Sequence, residues 1–409
     1  MTNLLWPGDH RAGDLMSDQA LLASMIAVEA AWLDALVKAG VAPADCAAED
    51  IGQLVSSADR EALAVAAEDG GNPVIGLVRL LRQRSGSAVG QWIHRGLTSQ
   101  DVLDSAMMLS LRRVLEELTV QLAEQIAALC TLADAHRGTP LVARTLTQHA
   151  VPTSFGAKAA RWLDGVVDAY QRISGVGTPI QIGGAAGTLS ATAELVTLRE
   201  LPGSPAEFAV ELTQATADRL GLDSRASWHT ARAPVTALAD ALVGCTDAWG
   251  HIASDVVTLA RPEIAELSEP TTATRGTSST MPHKHNPVLS ILIRRAAITA
   301  PPLAATLHTA AALANDERPD GVWHAEWDTL RTLARRAVVA GAQCCELVGG
   351  LQINATQMAQ NLADADVLGE QRVMARLAEK EPTPTYFGAV DLLIDQAIAR
   401  AQHVLDGAS

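Results

Sequence analysis

The sequence contains few aromatic residues, although its apolar content is high. Phe, Tyr and Trp together make up 3% of the 409 residues, while apolar residues of all kinds make up 48%. The core must therefore be filled mainly by aliphatic side chains, and alanine and leucine are abundant. Both have high helix propensity. This composition favours closely packed helices, in one large domain or in two to three smaller ones.

Basic charge is also scarce. The formal net charge is −15 at pH 7, whereas proteins that bind nucleic acids or anionic membranes need a basic surface. We therefore expect neither kind of partner. An anionic small molecule would have to be bound by local cations and hydrogen-bond donors.

Paired cysteine motifs and a targeting segment are absent as well. The five cysteines include no C-x-x-C pair and are odd in number, which is typical of reduced structural thiols. The first residues lack the basic start and apolar core of a signal peptide. Residues 296–314 are uncharged, but they contain Pro301, Pro302 and His308, which favours a buried bundle segment over a membrane span. We predict a cytoplasmic protein.

Helical periodicity dominates the rest of the chain. Ser17 can cap a helix that ends at Gly40, and a very long helix begins near Thr98. Apolar residues at alternating spacings of three and four over 235–259 predict a helix in a near-parallel bundle. The other predicted helices cover 74–84, 156–174, 288–314 (broken by the proline pair), 326–348, 352–362 and 390–404, with short helices and turns over 41–60.

No strand pattern stands out, so the predicted fold class is all-α. We predict three domains: an N-terminal helical domain (1–95), a central long-helix bundle (96–348) and a small C-terminal helical domain (349–409).

Residues 275–287 (RGTSSTMPHKHNP) have no helical period. Gly276 gives the backbone freedom, while the two prolines fix φ and remove backbone donors. The pattern predicts a loop that carries reactive groups; a polar surface turn is the alternative. His283 and His285 alone make a weak metal site, so no metal is predicted.

Residues 94–101 (HRGLTSQD) place hydroxyls at the start of the long helix. Thr98 and Ser99 could hold a carboxylate there, because a helix N-terminus offers free N–H groups and positive dipole charge. Plain N-capping is the alternative, and His94 could equally be a structural histidine. The glycine-rich run 181–188 lacks dinucleotide-site spacing and predicts a tight turn near a ligand.

These two motifs, together with 144–156, resemble the three characteristic regions of the fumarase/aspartase superfamily, in the right order. The loop matches that family's signature except at Thr277, where the family has Gly. The chain is most similar to the bacterial 3-carboxy-cis,cis-muconate cycloisomerase family. The segments that carry this similarity include 228–230 (WHT) and 323–327 (WHAEW).

The resemblance implies a three-domain helical subunit whose long helices form the twenty-helix core of a homotetramer. Each active site would take segments from three subunits. The reaction would close 3-carboxy-cis,cis-muconate to 4-carboxymuconolactone in the protocatechuate branch of the β-ketoadipate pathway, without metal or organic cofactor.

The resemblance also implies the roles of individual residues. Ser278 would transfer the proton at carbon, while Lys284 and Asn286 would stabilise the developing charge. The catalytic set is completed by His149. The substrate-binding set is His94, Thr98, Ser99, Gln148, Gln181, Arg232, Met281 and Asn286.

The chain departs from the superfamily in the second region. Leu146 and Ile291 occupy the positions of the family's histidine and its supporting acid. A cycloisomerase can lose this pair, because its nucleophile is already a carboxylate. His149 could partly substitute or be structural, and His324 and Glu326 could line the site or simply pack. Another superfamily lyase, such as an adenylosuccinate lyase relative, and a non-catalytic homologue are the alternatives.

Overall fold

The computed structural model describes residues 3–270, 272, 275–277, 280–281 and 284–407. Most of the described chain is helical, which confirms the predicted fold class. The helices are α1 Asp18–Lys38, α2 Arg60–Gly70, α3 Pro73–Arg84, α4 Ser87–Gly90, α5 Ser99–Ala135, α6 Phe155–Gly175, α7 Ser190–Leu198, α8 Pro205–Leu220, α9 Ala233–Leu259, α10 Val288–Leu313, α11 Val322–Gly349, α12 Ala355–Ala363, α13 Gly369–Leu377 and α14 Val390–Asp406. Short 3₁₀ turns cover Asp9–Ala12, Ala44–Ala48, Ile51–Gln53 and Ser57–Asp59.

The centre of the molecule is a bundle of α5, α6, α9, α10 and α11. The predicted apolar seam of α9 is confirmed, since each of its members is at most 3% exposed: Val235, Leu238, Leu242, Cys245, Trp249, Ile252, Val256 and Leu259. This apolar face of α9 is buried against neighbouring helices. Burial of such faces is the main source of the bundle's stability.

Helix starts follow their local sequence signals. The Ser17 side chain accepts a hydrogen bond from the Ala20 N–H at 3.1 Å. Asn72 does the same for Val74, also at 3.1 Å, and proline occupies the first turn of α3. Such caps satisfy N–H groups that have no partner within the helix.

The described apolar residues form two cores. The smaller core joins α1 and α3 to the first turns of α5 and to Trp323. The larger core fills the bundle and also contains four residues of α14, namely Val390, Ile394, Ala397 and Ala401. The domain boundaries that we infer from sequence, at 95 and 348, remain predictions.

Two small antiparallel sheets were missed by the sequence analysis. Strands β1 Pro140–Thr145 and β2 Gln148–Ser154 form a hairpin, and β3 Leu267–Ser268 pairs with β4 Gln352–Ile353. A register shift between Val142 and Arg144 interrupts the hairpin's alternation. Strands β3 and β4 have two residues each, and burial along β1 and β2 does not alternate regularly, so none shows a clear period of two.

The prediction that prolines break the helix over 288–314 was wrong. Pro301 and Pro302 lie inside the continuous helix α10, and both are exposed. Since α10 packs along α9 and α11 over its length, this packing holds the helix together where the prolines remove two backbone donors.

Among the described residues, α1 and α10 are long and apolar enough to match the dimensions of a membrane span. In α1, 67% of the most apolar window is buried inside the protein, compared with 33% in α10.

Candidate active site

The first turn of α5 forms a corner where Thr98, Asp101 and Arg318 meet, called the α5 corner below. Thr98 caps the helix, and its N–H donates to Asp101 Oδ2 at 2.9 Å. The Thr98 hydroxyl accepts a hydrogen bond from Arg318 Nη2. N-capping by Thr98 is thus confirmed, and the hydroxyl also meets a guanidinium at the positive end of a 37-residue helix.

Arg318 is the cation that sequence reasoning missed. It lies between α10 and α11 and also donates to the Ala185 carbonyl at 3.3 Å. Within the described ranges, it forms no ion pair with a carboxylate. A half-buried cation that contacts Thr98 beside a helix N-terminus is suited to binding a carboxylate.

Asp101 fastens the glycine-rich segment to this corner. It accepts hydrogen bonds from Gly183 N at 2.9 Å, Gly184 N at 2.9 Å and Gln181 Nε2 at 3.2 Å. Burial raises the pKa of Asp101 to about 6, and these donors together with Thr98 oppose that rise. The predicted tight turn is confirmed, with Gly184 and Gly187 at φ of 70° and 76°, and its location near a ligand stays a prediction.

Gln181 is fully buried, and its amide is occupied by protein groups. Besides Asp101, its Nε2 donates to Ser227 Oγ at 3.0 Å, and its Oε1 accepts from Trp228 N at 2.7 Å. The side chain holds two loops together. Gln181 therefore has no free amide group for the substrate contact that the sequence analysis predicts.

Arg232 is enclosed by two carboxylates. Nη1 lies 2.7 Å from Asp104 Oδ2, and Nη2 lies 2.6 Å from Glu326 Oε2. All five guanidinium N–H groups have acceptors when the His229 carbonyl is included. Burial alone would lower the pKa of Arg232, but the two carboxylates outweigh it and raise the pKa above its usual range.

This arrangement corrects the predicted role of Arg232. A direct substrate contact would require one of its ion pairs to break, so its role in this structure is to join α5, α9 and α11. Glu326 has the same structural role. His324 is exposed and lies against Trp327, with ring centroids 4.6 Å apart.

Two histidines lie near the corner. His94 Nδ1 is 2.6 Å from Glu29 Oε1, and the His94 side chain is 17% exposed. His229 is buried, and neither ring nitrogen has a hydrogen-bond partner among the described residues. Burial lowers the pKa of His229, and Arg318 lowers it further, so this ring is neutral near pH 7.

The second region forms the tip of the β1–β2 hairpin. Leu146 and Thr147 have positive φ values of 48° and 73°, and Leu146 is 96% exposed. Gln148 and His149 are exposed on β2. Near its tip the hairpin is fixed by Arg144, which lies opposite His149 and donates to both oxygens of buried Glu266 at 3.0 and 2.8 Å.

A cavity of about 900 Å³ lies beside this hairpin. Its lining includes Arg144, Thr145, His149, Lys158 and Arg161. The lining also includes Asp255, Glu263 and Asp364, so the cavity carries charges of both signs, and Lys158 lies 3.2 Å from Asp255.

The signature loop is described in part. The Gly276 carbonyl accepts from Asn286 N at 2.9 Å and from Asn286 Nδ2 at 3.2 Å, which closes the loop at its base. Thr277 and His285 form an antiparallel bridge. Met281 and Lys284 are exposed. Ser278, the predicted proton-transfer residue, and His283 lie outside the described residues.

Glu269, which the sequence analysis did not single out, anchors the end of the loop. It accepts from Leu289 N at 2.9 Å and Ser290 N at 2.7 Å, both in the first turn of α10. The positive end of α10 is therefore neutralised by protein, and Lys284 is left as the exposed cation of this segment. No cluster of three or more metal-ligating side chains occurs in the part of the chain that the structure describes.

The α5 corner lies at one end of the bundle, and the hairpin and the signature loop lie at the other. Arg232, at the start of α9, belongs to the corner, whereas the hairpin and loop lie near the end of α9 and the start of α10. Because α9 has 27 residues and rises about 1.5 Å per residue, the two ends are about 40 Å apart. One subunit does not bring all the predicted site residues together.

Comparison with known proteins connects these features to a family. A family profile described as "Lyase" matches residues 13–301. The nitrosuccinate lyase of Streptomyces davaonensis is 42% identical over 89% of this chain and 76% of its own length. The 3-carboxy-cis,cis-muconate cycloisomerase of Bradyrhizobium diazoefficiens is 35% identical over 95% of this chain and 85% of its own.

Solved structures agree with the sequence relatives. The 3-carboxy-cis,cis-muconate lactonizing enzyme of Pseudomonas putida superimposes with a TM-score of 0.84 at 29% identity, covering 96% of this chain and 97% of that one. The resemblance inferred from the three motifs is thereby confirmed. The chain belongs to the lyase family of the fumarase/aspartase superfamily and is an enzyme of the isomerase/lyase kind.

Proposed function

We propose that this enzyme is a 3-carboxy-cis,cis-muconate cycloisomerase, which closes its substrate to 4-carboxymuconolactone in the protocatechuate branch of the β-ketoadipate pathway. The observation that carries the proposal is the exposed Leu146 at the hairpin tip. A side chain without acid–base chemistry at that position suits a reaction whose nucleophile is already ionised. A relative of this name, at 35% identity over 95% of the chain, supports the choice.

The electrostatics of the segments fit a tricarboxylate. The corner offers Arg318, the Thr98 and Ser99 hydroxyls and the positive end of α5, while the loop offers the exposed Lys284. With a net charge of −15, the protein as a whole repels anions, so these local groups must provide the attraction.

The reaction requires two events at carbon. A substrate carboxylate oxygen bonds to one end of an activated double bond, and the electron pair moves onto the carboxylate at the other end. A proton must then reach the adjacent carbon, which we assign to Ser278 by resemblance. Lys284 lies in the segment that would stabilise the transient charge, where a positioned cation is most effective. No cofactor is required, so activity should survive dialysis against a chelator.

We also propose that the active site is shared between subunits of a homotetramer. The separation of about 40 Å between the corner and the loop supports this arrangement, because no helix motion within one subunit could close it. The outward side of α10 supports it as well: Ile291, Ile298 and Leu313 are 49%, 67% and 63% exposed. Helices of other copies would cover this apolar surface.

Hybrid tetramers test the shared site. Thr98→Val impairs only the corner, and Lys284→Ala impairs only the loop. After the two inactive variants are unfolded, mixed and refolded together, some sites would combine an intact corner with an intact loop, and activity should return. Failure to regain activity in verified hybrids would contradict the shared site, as would an active monomer in light scattering.

A substrate panel tests the activity itself. Lactonisation shortens the conjugated diene, so ultraviolet absorbance should fall as 3-carboxy-cis,cis-muconate is consumed. Adenylosuccinate and fumarate should be inert, because their reactions need the acid–base pair that Leu146 and Ile291 replace. Cleavage of adenylosuccinate without loss of muconate absorbance would overturn the proposal.

A second candidate is a lyase reaction on nitrosuccinate that would eliminate nitrite, and the relative named nitrosuccinate lyase, at 42% identity, favours it. Nitrite leaves as a stable anion, so this reaction also needs no acid at the position of Leu146. Ser278 would remove a proton from carbon rather than deliver one. Nitrite release measured beside the absorbance assay separates the two candidates.

We further propose that the protein is cytoplasmic. All five cysteines are unpaired in the structure, and Cys46, Cys245 and Cys344 are buried, as expected of thiols in a reducing compartment. Fractionation of the producing cells would test this assignment.

A further inference from the structure

We infer that Glu29 is a positioning residue that orients His94 towards the substrate. The inference rests on the proposed function only in taking the α5 corner as a place where an anionic substrate binds. It assigns a role to a residue of α1 that neither the sequence motifs nor the relatives single out.

The contact between the two side chains is short and buried on one side. Glu29 Oε1 lies 2.6 Å from His94 Nδ1, and the Glu29 side chain is 0% exposed. Glu29 Oε2 has no hydrogen-bond partner among the described residues, so His94 supplies the direct hydrogen bond that this carboxylate has. Since an ionised carboxylate only accepts, the proton on the shared bond belongs to Nδ1.

The backbone around His94 is held in an unusual conformation. His94 has φ of 64°, in the left-handed region that side chains other than glycine rarely adopt. The carbonyls of its neighbours are fixed by long-range donors: Arg82 Nη2 donates to Ile93 O at 2.8 Å, and Trp32 Nε1 donates to Arg95 O at 2.7 Å. Residues held in such conformations cluster at functional sites.

The opposite side of the ring is the accessible one. His94 is 17% exposed, and its Nε2 is not among the buried atoms that lack a partner. Within the described residues, no hydrogen bond to Nε2 is formed. With Nδ1–H fixed on Glu29, a neutral ring presents a lone pair at Nε2, and a protonated ring presents an N–H that can donate to a substrate carboxylate.

The pair therefore has the form of an imidazole oriented by an acid. An acid in this position fixes the tautomer and the ring plane, and its loss can greatly reduce activity while the fold is retained. At the other end of the bundle, Leu146 and Ile291 replace the histidine and the supporting acid that form such a pair in the superfamily. Glu29 and His94 supply an oriented imidazole at the corner instead.

A double-mutant cycle tests whether Glu29 acts through His94. The variants are Glu29→Gln, His94→Gln and the double variant, since glutamine keeps hydrogen-bonding ability at both positions. Glu29→Gln should lower kcat/KM by about tenfold or more when His94 is present. The same change should have almost no effect when residue 94 is glutamine. An equal loss in both backgrounds would show that Glu29 has only a structural role.

The matched control is Asp240→Asn, which alters the exposed pair of His308 Nε2 and Asp240 Oδ1 at 3.0 Å. This variant should leave kcat/KM unchanged. If Glu29→Gln unfolds the protein, Glu29→Asp keeps the charge and shortens the arm, and it should show the same dependence on His94.

A second readout needs no substrate, so it separates this inference from the proposed function. Diethyl pyrocarbonate acylates an accessible imidazole nitrogen, and peptide mass spectrometry reports the rate at each histidine. His94 should be modified in the native protein. Glu29→Gln should slow the modification of His94 and leave the rate at the exposed His251 unchanged. Protection of His94 in the native protein would overturn the inference even if the muconate assay succeeds. Modification as expected, with an inactive muconate assay, would contradict only the proposed function.

Discussion

Replacement of Arg232 by methionine should destabilise the fold much more than it alters substrate binding. The guanidinium is 1% exposed and lies between Asp104 and Glu326, each 4% exposed. Methionine fills similar space but leaves two buried carboxylates without their cation. Removing one partner of a buried ion pair typically costs about 3–5 kcal/mol.

The two carboxylates should respond differently. Asp104 keeps donors from Trp323 Nε1 at 2.9 Å and Gln100 Nε2 at 3.2 Å. The hydrogen bonds described for Glu326 all come from Arg232, so this residue should carry most of the cost. Burial already raises the pKa of Glu326. The single variant should therefore be least stable at high pH and recover as the pH falls.

The assay is urea-induced unfolding, followed by far-ultraviolet circular dichroism at a fixed protein concentration, for the wild type, Arg232→Met and the double variant Arg232→Met/Glu326→Gln. The double variant should regain a large part of the lost stability, because it buries one charge fewer. A wild-type unfolding curve for Arg232→Met together with a raised KM would refute this reasoning and restore Arg232 as a substrate ligand.

Three further outcomes follow from the site. Ser278→Ala should reduce kcat by roughly 10²–10⁴-fold with nearly unchanged substrate binding, as measured by steady-state kinetics and calorimetry; retained activity would place the proton donor elsewhere, with His149 the first residue to examine. Lys284→Ala should impair binding and turnover together, because its charge acts in both ground and transition states; a change in kcat alone would contradict this. The pKa of Asp101 is about 6 when folded and about 3.9 in a free chain, so its contribution to stability is present below about pH 3.9 and is lost as the pH rises through about 6. The free energies of unfolding of the wild type and Asp101→Asn can be measured with urea at several pH values. Their difference should shrink as the pH rises from about 3.9 to about 6, and a constant difference would contradict the shifted pKa.

Local signals in the sequence predicted most of the helices. The α9 seam repeats at the period of a packed helix, and Ser17 and Thr98 are side chains that cap a helix wherever its first turn is free. The predicted break at Pro301 and Pro302 was wrong, because such a pair breaks an isolated helix but not one that is packed along two neighbouring helices. The hairpin was missed because burial does not alternate regularly along its strands and their pairing shifts in register.

The site was predictable only where the motif itself carries the chemistry. The capping role of Thr98 follows from neighbouring residues, whereas the closure of the loop base by Asn286 and Gly276 was not predicted. The partners of Arg232 and His94 could not be found this way, because Asp104 is 128 positions from Arg232 and Glu29 is 65 positions from His94. Such pairs arise from the packing of separate helices, which one sequence does not reveal.

Competition between the two candidate substrates in one tube tests the proposed activity most directly. Equimolar 3-carboxy-cis,cis-muconate and nitrosuccinate are incubated with the enzyme in D₂O and followed by proton NMR. We predict that the muconate is consumed first and that the lactone carries one deuterium, at the carbon that receives the proton. Consumption of nitrosuccinate first, with the muconate signals unchanged, would contradict the cycloisomerase assignment.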